Sequence, residues 1–227
     1  GYTFAGWVPE VPAVMPAADM TCVAQWTPIQ YTISFDSAGG TLVADITQAY
    51  NSAVTAPTAP TRDGYTFAGW VPEVPAVMPA ADMTCVAQWT PIQYTISFDS
   101  AGGTLVADIT QAYNSAVTAP ADPTRDGYTF IGWQPPVPAF MPAEHLHCVA
   151  EWMINEYTIS FDNAVGLPVA SIRLPFGIPV TPPAAPTREG YTFAGWVPEV
   201  PAVMPAADMT CVAQWTPIQY TISFDSA

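Results

Sequence analysis

The sequence predicts an all-β protein, built as a tandem array of small four-stranded repeat domains with proline-rich connections. The first reason is a 63-residue period, because residues 1–38, 64–101 and 190–227 are the same 38-letter string. The second is the set of 26 prolines, which disfavour long helices and favour strands joined by stiff loops. The third is a strict alternation of apolar and polar residues in short segments, which is typical of half-buried strands.

The period divides the chain into complete and partial repeats. The predicted units are a partial repeat (C-terminal half) at 1–30, repeats at 31–93 and 94–156, a repeat with a divergent first half at 157–219, and the start of the next repeat at 220–227. Variation between the copies is concentrated in roughly 121–190, which suggests a duplicated unit that begins near the phrase GYTF. The sequence leaves open whether the folded unit begins there or at the phrase YTISFD. We interpret the chain as a window from a longer array.

The first half of repeat 31–93 contains two predicted strands. Tyr31–Asp36 alternates strictly, and its apolar face carries Tyr31, Ile33 and Phe35. Ser37–Gly40 is a predicted turn in which the two glycines are free to take positive φ. Thr41–Tyr50 is the second predicted strand, and one of its faces carries Leu42, Ala44, Ile46 and Tyr50.

The second half begins with an extended, proline-punctuated crossover at Ala56–Gly64. Gly64–Trp70 is the third predicted strand, where Gly69 favours a bulge that redirects Trp70. Val71–Met83 is a predicted loop with one helical turn near Pro79–Asp82, and Thr84–Trp89 is the last strand. The predicted core of the repeat consists of Tyr31, Ile33, Phe35, Leu42, Ile46, Phe67, Trp70, Cys85 and Trp89.

Three phrases in this order resemble a known family: YTISFDSAGG at 31–40, PTRDGYTFAGW at 60–70 and MTCVAQW at 83–89. They are similar to the Listeria–Bacteroides repeat, also called the internalin B-repeat. The resemblance implies a β-grasp-like fold and stalk modules of secreted or wall-anchored bacterial surface proteins, with no catalytic residues to transfer. The chain departs from that family in its short segment Val71–Met83, and in Cys85, which stands where a Val-like residue is expected.

The charge of the chain excludes two classes of partner. It has 19 acidic residues, four arginines, no lysine and a formal net charge of -15. Without a basic patch it cannot neutralise nucleic-acid phosphates, and it is not expected to dock on an anionic membrane. Lysine–asparagine isopeptide cross-links are excluded as well, because there is no lysine. The acidity should keep many copies soluble and mutually repelling.

One cysteine recurs in each copy of the last strand, and the four are Cys22, Cys85, Cys148 and Cys211. They are candidate inter-chain thiols, as extracellular arrays are sometimes cross-linked. Bonds between repeats of one chain are disfavoured, since a 63-residue globule is about 25–30 Å across and a disulfide needs Cα atoms within ~7 Å. The alternative is a buried thiol that acts as a small hydrophobic side chain beside Ala87 and Trp89.

His145 and His147 are weak candidates for metal ligands, because they share one face of a predicted strand, next to Glu144. A third or fourth ligand is not evident, so we predict no metal site and no cofactor. The recurring Trp and Tyr residues are assigned to the core rather than to sugar binding. No loop has the closely spaced Asp and Asn residues of a calcium site. No Ser-His-Asp or Cys-His pair recurs, which argues against an enzyme.

The sequence favours a structural repeat region of a bacterial extracellular stalk or filament. Length would scale with copy number, and copies of the chain could associate laterally or end to end through repeat contacts or edge-strand pairing. The alternative is a multivalent adhesin module that recognises a host protein or glycan. Both place the chain outside the cell or at its surface, with no membrane insertion in this segment.

Overall fold

The computed structural model describes residues 1–163 and 168–225, where strands and irregular segments account for all of the chain and no helix occurs. The remaining residues of the divergent first half (164–167) and of the start of the next repeat (226–227) lie outside the described residues. The strands are β1 (Tyr2–Val8), β2 (Val23–Pro28), β3 (Gln30–Asp36), β4 (Ile46–Ala49), β5 (Tyr65–Val71), β6 (Met83–Pro91), β7 (Gln93–Asp99), β8 (Ile109–Ala112), β9 (Tyr128–Gln134), β10 (Leu146–Ile154), β11 (Glu156–Asp162), β12 (Ile172–Pro175), β13 (Tyr191–Val197) and β14 (Met209–Pro217). The described part of the chain offers no membrane-spanning helix.

The strands form one two-stranded sheet, β1-β2, and three four-stranded sheets of the same order. The orders are β4-β3-β6-β5, β8-β7-β10-β9 and β12-β11-β14-β13. In the first of the three, the central pair β3–β6 is parallel and the flanking pairs are antiparallel. The same pattern holds for β11 to β14. These mixed sheets without helices confirm the predicted all-β, β-grasp-like class.

The described chain divides into two compact units. One contains Gly1–Thr95, Thr110–Val117 and Phe140–His145. The other contains Ile96–Ile109, Thr118–Ala139 and the described residues from Leu146 onward. Each unit carries its own compact cluster of apolar side chains, which is the usual basis for stability of a small β domain.

The turn after β3 differs in detail from its prediction. Positive φ occurs at Ala38 (47°) and Gly39 (87°), rather than at the two glycines. Gly40 is required for another reason: a Cβ atom there would lie 2.6 Å from Cζ2 of Trp89. The indole Nε1–H of Trp89 donates to the carbonyl oxygen of Ser37 at 3.0 Å. The turn is therefore closed against the last strand of its own repeat, and only a residue without a side chain fits beneath the indole.

The second predicted strand is shorter than expected, because β4 begins at Ile46. The backbone of Thr41 bonds instead to the crossover: its N–H donates to the carbonyl oxygen of Thr61 at 2.9 Å. The N–H of Thr61 donates in turn to Oγ1 of Thr41 at 3.0 Å. Strand alternation therefore does not apply before β4, so Val43 packs on the core and Leu42 is 99% exposed. The assignment of Leu42 to the core was wrong.

The predicted bulge in the third strand is confirmed. The register of β5 on β6 shifts between Phe67, which faces Trp89, and Gly69, which faces Gln88. Gly69 has a φ of +124°, a conformation that side-chain-bearing residues rarely adopt. The bulge turns Trp70 into the core, where its ring makes edge-to-face contacts with Phe67 at 5.4 Å and Phe35 at 4.9 Å.

The loop Val71–Met83 contains no helical turn at Pro79–Asp82, so that part of the prediction was wrong. The loop instead runs extended beside the residues that follow β4: the N–H of Met78 donates to the carbonyl oxygen of Ser52 at 2.9 Å, and the N–H of Asn51 donates to that of Met78 at 3.0 Å. Met78 is thereby held in an extended conformation before Pro79, which also disfavours a helix at that point.

The core of the first complete sheet consists of five buried residues, which are Ile33, Trp70, Met78, Cys85 and Ala87. Ten half-buried side chains pack around them, including Tyr31, Phe35, Ile46, Phe67 and Trp89. All of the predicted core residues except Leu42 therefore contribute to this cluster. Met78 is the fully buried residue that the alternation pattern does not reveal, because it lies in a loop.

Candidate functional site

The connection between consecutive four-stranded sheets is a single residue. Ile92 lies between β6 and β7, and both of its backbone polar groups are used. Its N–H donates to the carbonyl oxygen of Gly64 at 2.9 Å, and its carbonyl oxygen accepts from the N–H of Tyr113 at 2.8 Å. Gly64 precedes β5 of one repeat, and Tyr113 follows β8 of the next. The linker is therefore hydrogen-bonded to both repeats that it joins.

An aromatic ring covers the glycine of this junction. A Cβ atom on Gly64 would lie 2.3 Å from Cδ1 of Tyr113, which no real side chain could occupy. Gly64 also has a φ of +77°. The ring of Tyr113 contacts Tyr65 edge to face, with the centroids 5.4 Å apart. We call Gly64, Tyr65, Ile92 and Tyr113 the junction; each of its members contacts at least one other.

The junction recurs at two other boundaries between repeats, those at Ile29 and Asn155. Ahead of it along the chain, Ile29 donates to Gly1 at 2.9 Å and accepts from Tyr50 at 2.8 Å, and Tyr50 contacts Tyr2 at 5.3 Å. The ring of Tyr50 covers Gly1 as that of Tyr113 covers Gly64. The contact is therefore not an accident of one pair of repeats.

At the boundary between repeats 94–156 and 157–219, the corresponding contacts are made by different side chains. Asn155 donates to Gly127 at 2.9 Å and accepts from the N–H of Phe176 at 2.9 Å, and the ring of Phe176 lies over Gly127. Phe176 contacts Tyr128 with a centroid distance of 6.0 Å. Asn155 adds a bond of its own, since its Oδ1 accepts from Oγ1 of Thr129 at 2.6 Å. An aromatic ring on a glycine is thus the shared chemistry, while the linker residue varies.

An arginine lies over the tyrosine that begins the third strand of each four-stranded sheet. The guanidinium carbon of Arg62 lies 4.1 Å from the ring centroid of Tyr65, and Nη1 donates to the carbonyl oxygen of Ala38 at 3.0 Å. Arg125 and Arg188 lie over their own tyrosines at 3.9 Å. Three of the four arginines of the chain thus have this one role. A cation over an aromatic face contributes about 0.5–1 kcal/mol at an exposed site and about 2 kcal/mol or more where it is desolvated.

The alternation pattern does not predict the junction, because it assigns each aromatic residue to its own strand. Tyr50 was assigned to the same face of the second strand as Leu42, Ala44 and Ile46. The signal was present in the period: an aromatic residue stands at 50, 113 and 176, and the Gly-Tyr pair that it contacts lies 49 and 48 positions earlier, at 1–2, 64–65 and 127–128. What links the two is a contact across the boundary between repeats, which local alternation does not encode.

Three of the four candidate thiols are buried, as the alternative interpretation of a thiol in the core predicted. Cys85, Cys148 and Cys211 are completely buried, and Cys22 is partly exposed. Burial raises the pKa of the three buried thiols, because a thiolate in an apolar core loses its hydration. They are therefore poor nucleophiles at neutral pH. Cross-linking between chains stays a prediction, with Cys22 as its best-placed thiol.

We expect about one thiol per chain to react with a colourless aromatic disulfide reagent in the native protein at neutral pH, and all four to react in denaturant. The physical reason is that a reagent cannot reach a fully buried sulfur until the strand opens. Cys22→Ser should remove the fast phase, while Cys85→Ser should leave it in place. A fast phase that persists in Cys22→Ser would contradict this assignment.

The two histidines are exposed and bond to the neighbouring strand. Nδ1 of His145 accepts from the backbone N–H of Thr95 at 3.1 Å. Nδ1 of His147 shares a hydrogen bond with Oγ of Ser97 at 2.9 Å. Over residues 1–163 and 168–225, no three His, Cys, Asp or Glu side chains gather in an arrangement that could hold a metal ion. Both ring nitrogens that face protein are thus used in hydrogen bonds within the sheet.

Comparisons with known proteins match these repeats. A putative membrane protein of Evansella cellulosilytica is 30% identical over 232 residues, which cover 91% of this chain and 35% of that protein. Internalin H of Listeria monocytogenes is 39% identical over 112 residues, which cover 45% of this chain and 20% of that protein. The chain therefore spans about a third or less of the length of these relatives.

Among solved structures, the Streptococcal High Identity Repeats in Tandem (SHIRT) domains 3-4 of a cell surface protein are 21% identical. The match covers 56% of this chain and 98% of that one, with a TM-score of 0.25, and a likeness of that size supports no conclusion about this chain. The family comparison is stronger, because the Listeria-Bacteroides repeat domain matches residues 31–88, 94–135 and 157–214. These matched ranges make up most of the chain, and each begins at the second residue of the first strand of a four-stranded sheet. The chain belongs to the Listeria-Bacteroides repeat domain family.

Proposed function

We propose that this chain is a structural region of a bacterial cell-surface stalk, in which consecutive repeats are coupled to give length. The junction carries the proposal: a single linker residue, Ile92 or Asn155, is hydrogen-bonded to the repeats on both sides, and an aromatic ring covers the facing glycine. A flexible tether would need free backbone groups at this point. A repeat that is tied to its neighbour in this way adds a fixed increment of length.

The folding unit of the stalk is the segment that begins at the phrase YTISFD. Support comes from the sheets, since β3 to β6 fall within residues 30–91 and β11 to β14 within 156–217. A unit that began at GYTF would take its parallel central strands from two different sheets. We therefore keep 31–93, 94–156 and 157–219 as the repeats of the stalk, between the partial repeats at 1–30 and 220–227.

A surface location is supported by the relatives. Two of them are named putative membrane proteins, from the same organism, and a third is Internalin H. The net charge of -15 makes copies of the chain repel one another, which limits non-specific association at a crowded surface. The members of the junction contact one another through backbone hydrogen bonds and ring packing, so the role that we propose for it is mechanical.

Assembly of several chains into a fibre by strand pairing would have to use the edges of the four-stranded sheets. The sheet edges are β4, which has four residues, and β5, which has a bulge at Gly69. Short and bulged edges resist the addition of a further strand. We therefore place the coupling within the chain, at the junctions, and treat pairing between chains as secondary.

Deletion of residues 94–156 tests the stalk. The remaining chain keeps the period, and Gly64 then faces Phe176 in place of Tyr113. We expect the maximum dimension from small-angle X-ray scattering to fall by the length of one repeat, by the same amount at low and high salt. An unchanged dimension would contradict the proposal. Saturable binding of a host protein or glycan by the monomer would instead favour the adhesin alternative.

A further inference from the structure

The first and last strands of a repeat are parallel neighbours, and this arrangement determines how a repeat bears load. β3 pairs with β6 from Ile33 opposite Met83 to Asp36 opposite Val86. Tension on the chain pulls the start of β3 one way and the end of β6 the other way, along the strand direction. The hydrogen bonds of the pair are then loaded together, in shear, rather than broken one after another. The β3–β6 pair is therefore the load-bearing element of the repeat.

A side chain lengthens this pair at its starting end. The N–H of Thr32 points to the side of β6, one residue before β6 begins, and donates to Oδ1 of Asp82 at 2.7 Å. In the divergent repeat the N–H of Thr158 donates to Oδ1 of Asp208 at 2.8 Å. Each carboxylate adds one charge-assisted hydrogen bond to the four residue pairs of the ladder.

The middle repeat uses a histidine at this position. The N–H of Thr95 donates to Nδ1 of His145 at 3.1 Å, just before the pairing of Leu146 with Ile96. A carboxylate keeps its lone pairs throughout the neutral and mildly acidic range. An imidazole nitrogen accepts only while it carries no proton. After protonation, Nδ1–H and the N–H of Thr95 are two donors that face each other.

A tyrosine ring and two carboxylates lie in the region of His145. Its ring packs edge to face on Tyr94, with the centroids 5.6 Å apart. The carboxylates are those of Glu144, which precedes His145, and Asp63, which lines the same groove as Glu144 and Tyr94. The chain has no other histidine than His147, so these two are the side chains that ordinarily change charge between pH 5 and 8.

His147 differs from His145 in the consequence of protonation. Its Nδ1 faces the hydroxyl of Ser97, and a hydroxyl can donate or accept. When His147 takes up a proton, its Nδ1–H donates to this hydroxyl, which itself can donate to the carbonyl oxygen of Leu146 at 3.3 Å, and the hydrogen bond remains. When His145 takes up a proton, a backbone N–H cannot reverse, and the bond is lost. The two histidines of one repeat are thus a matched pair, of which only one can act as a switch.

We propose that repeat 94–156 is an acid-sensitive link in the chain: protonation of His145 removes the hydrogen bond that begins the β7–β10 pair, so that this repeat yields to tension before its neighbours. The inference rests on the proposed stalk for its biological meaning, since only a stalk is held under tension. The pH dependence of the mechanical stability of this repeat is a property of the isolated chain and can be measured on it alone. The repeats that carry Asp82 and Asp208 keep their bonds and hold their length.

The test is to hold the whole chain by its two ends in an optical trap at constant force. A repeat of 63 residues adds up to about 210–230 Å to the length of the tethered chain when it unfolds. Each step of this size therefore marks the unfolding of one repeat. When the pH is lowered from 7.5 to 5.5, we expect the time for which one of the repeats stays folded under force, its lifetime, to fall by about 2- to 10-fold. This is the effect of losing one hydrogen bond. The other lifetimes should change little.

Two variants identify the group. His145→Asp, which copies the neighbouring repeats, should remove the difference between the two pH values, and His147→Gln should preserve it. Equal lifetimes at both pH values, or an unchanged pH response in His145→Asp, would overturn the proposal. The lifetimes are independent of the scattering result, so the acid-sensitive link and the stalk can fail separately.

Discussion

Met78→Ala is expected to destabilise the sheet of β3 to β6 by about 2–5 kcal/mol, the usual cost of truncating a buried methionine. Met78 is 0% exposed and packs in the cluster of Ile33, Trp70 and Cys85. A repeat of this size buries a limited core and has a modest free energy of unfolding. The substitution should therefore lower the unfolding transition of that sheet well below those of the others, or abolish it.

The chain contains a control for this experiment. Met15 occupies the same place in the partial repeat, within the same sequence of neighbours, but it is 91% exposed. Met15→Ala should change the free energy of unfolding by less than about 0.5 kcal/mol, as surface substitutions usually do. Differential scanning calorimetry of both variants measures the difference. Similar transitions for Met78→Ala and Met15→Ala would show that the burial of Met78 does not stabilise the sheet.

Alternation predicted the three long strands of a repeat to within one or two residues. Tyr31–Asp36 was expected and Gln30–Asp36 is observed, and Thr84–Trp89 was expected where β6 extends from Met83 to Pro91. The bulge at Gly69 could be predicted as well. These features depend on residues that are close in sequence: a two-residue period, and a glycine inside a strand.

Features that depend on distant partners could not be predicted in this way. Leu42 is exposed because Thr41 bonds to Thr61, and Met78 is buried because its backbone bonds to Asn51 and Ser52. Neither pairing leaves a mark in the local pattern. The same holds for the candidate sites. The sequence places His145 and His147 on one strand face, but only the neighbouring strand shows that one faces a backbone N–H and the other a hydroxyl.

The junction gives the second large expected effect, on Gly64→Ala. Two costs are combined in this variant. An alanine at a φ of +77° costs about 1–2 kcal/mol by backbone strain alone. Its Cβ would also lie 2.3 Å from the ring of Tyr113, so the ring or the linker must move. Overpacking of this kind adds about 1–3 kcal/mol.

Gly190→Ala separates the two costs. Gly190 has nearly the same φ, +76°, and accepts the N–H of Ile218 at 2.8 Å as Gly64 accepts that of Ile92. No atom of the described residues lies within 4 Å of a Cβ built there, apart from its chain neighbours. Gly190→Ala therefore carries the strain without the collision, and the difference between the two variants measures the contact with Tyr113.

Amide hydrogen exchange measures the stability of the hydrogen bonds that connect one repeat to the next. In Gly64→Ala we expect the N–H groups of Ile92 and Tyr113 to lose protection, because the ring that is displaced belongs to the residue that bonds to the linker. In Gly190→Ala these two amides should stay protected. Tyr113→Ala, added to Gly64→Ala, should recover part of the lost stability by removing the collision. If Gly64→Ala and Gly190→Ala behave alike, backbone strain accounts for the whole effect, and the aromatic ring does not couple one repeat to the next.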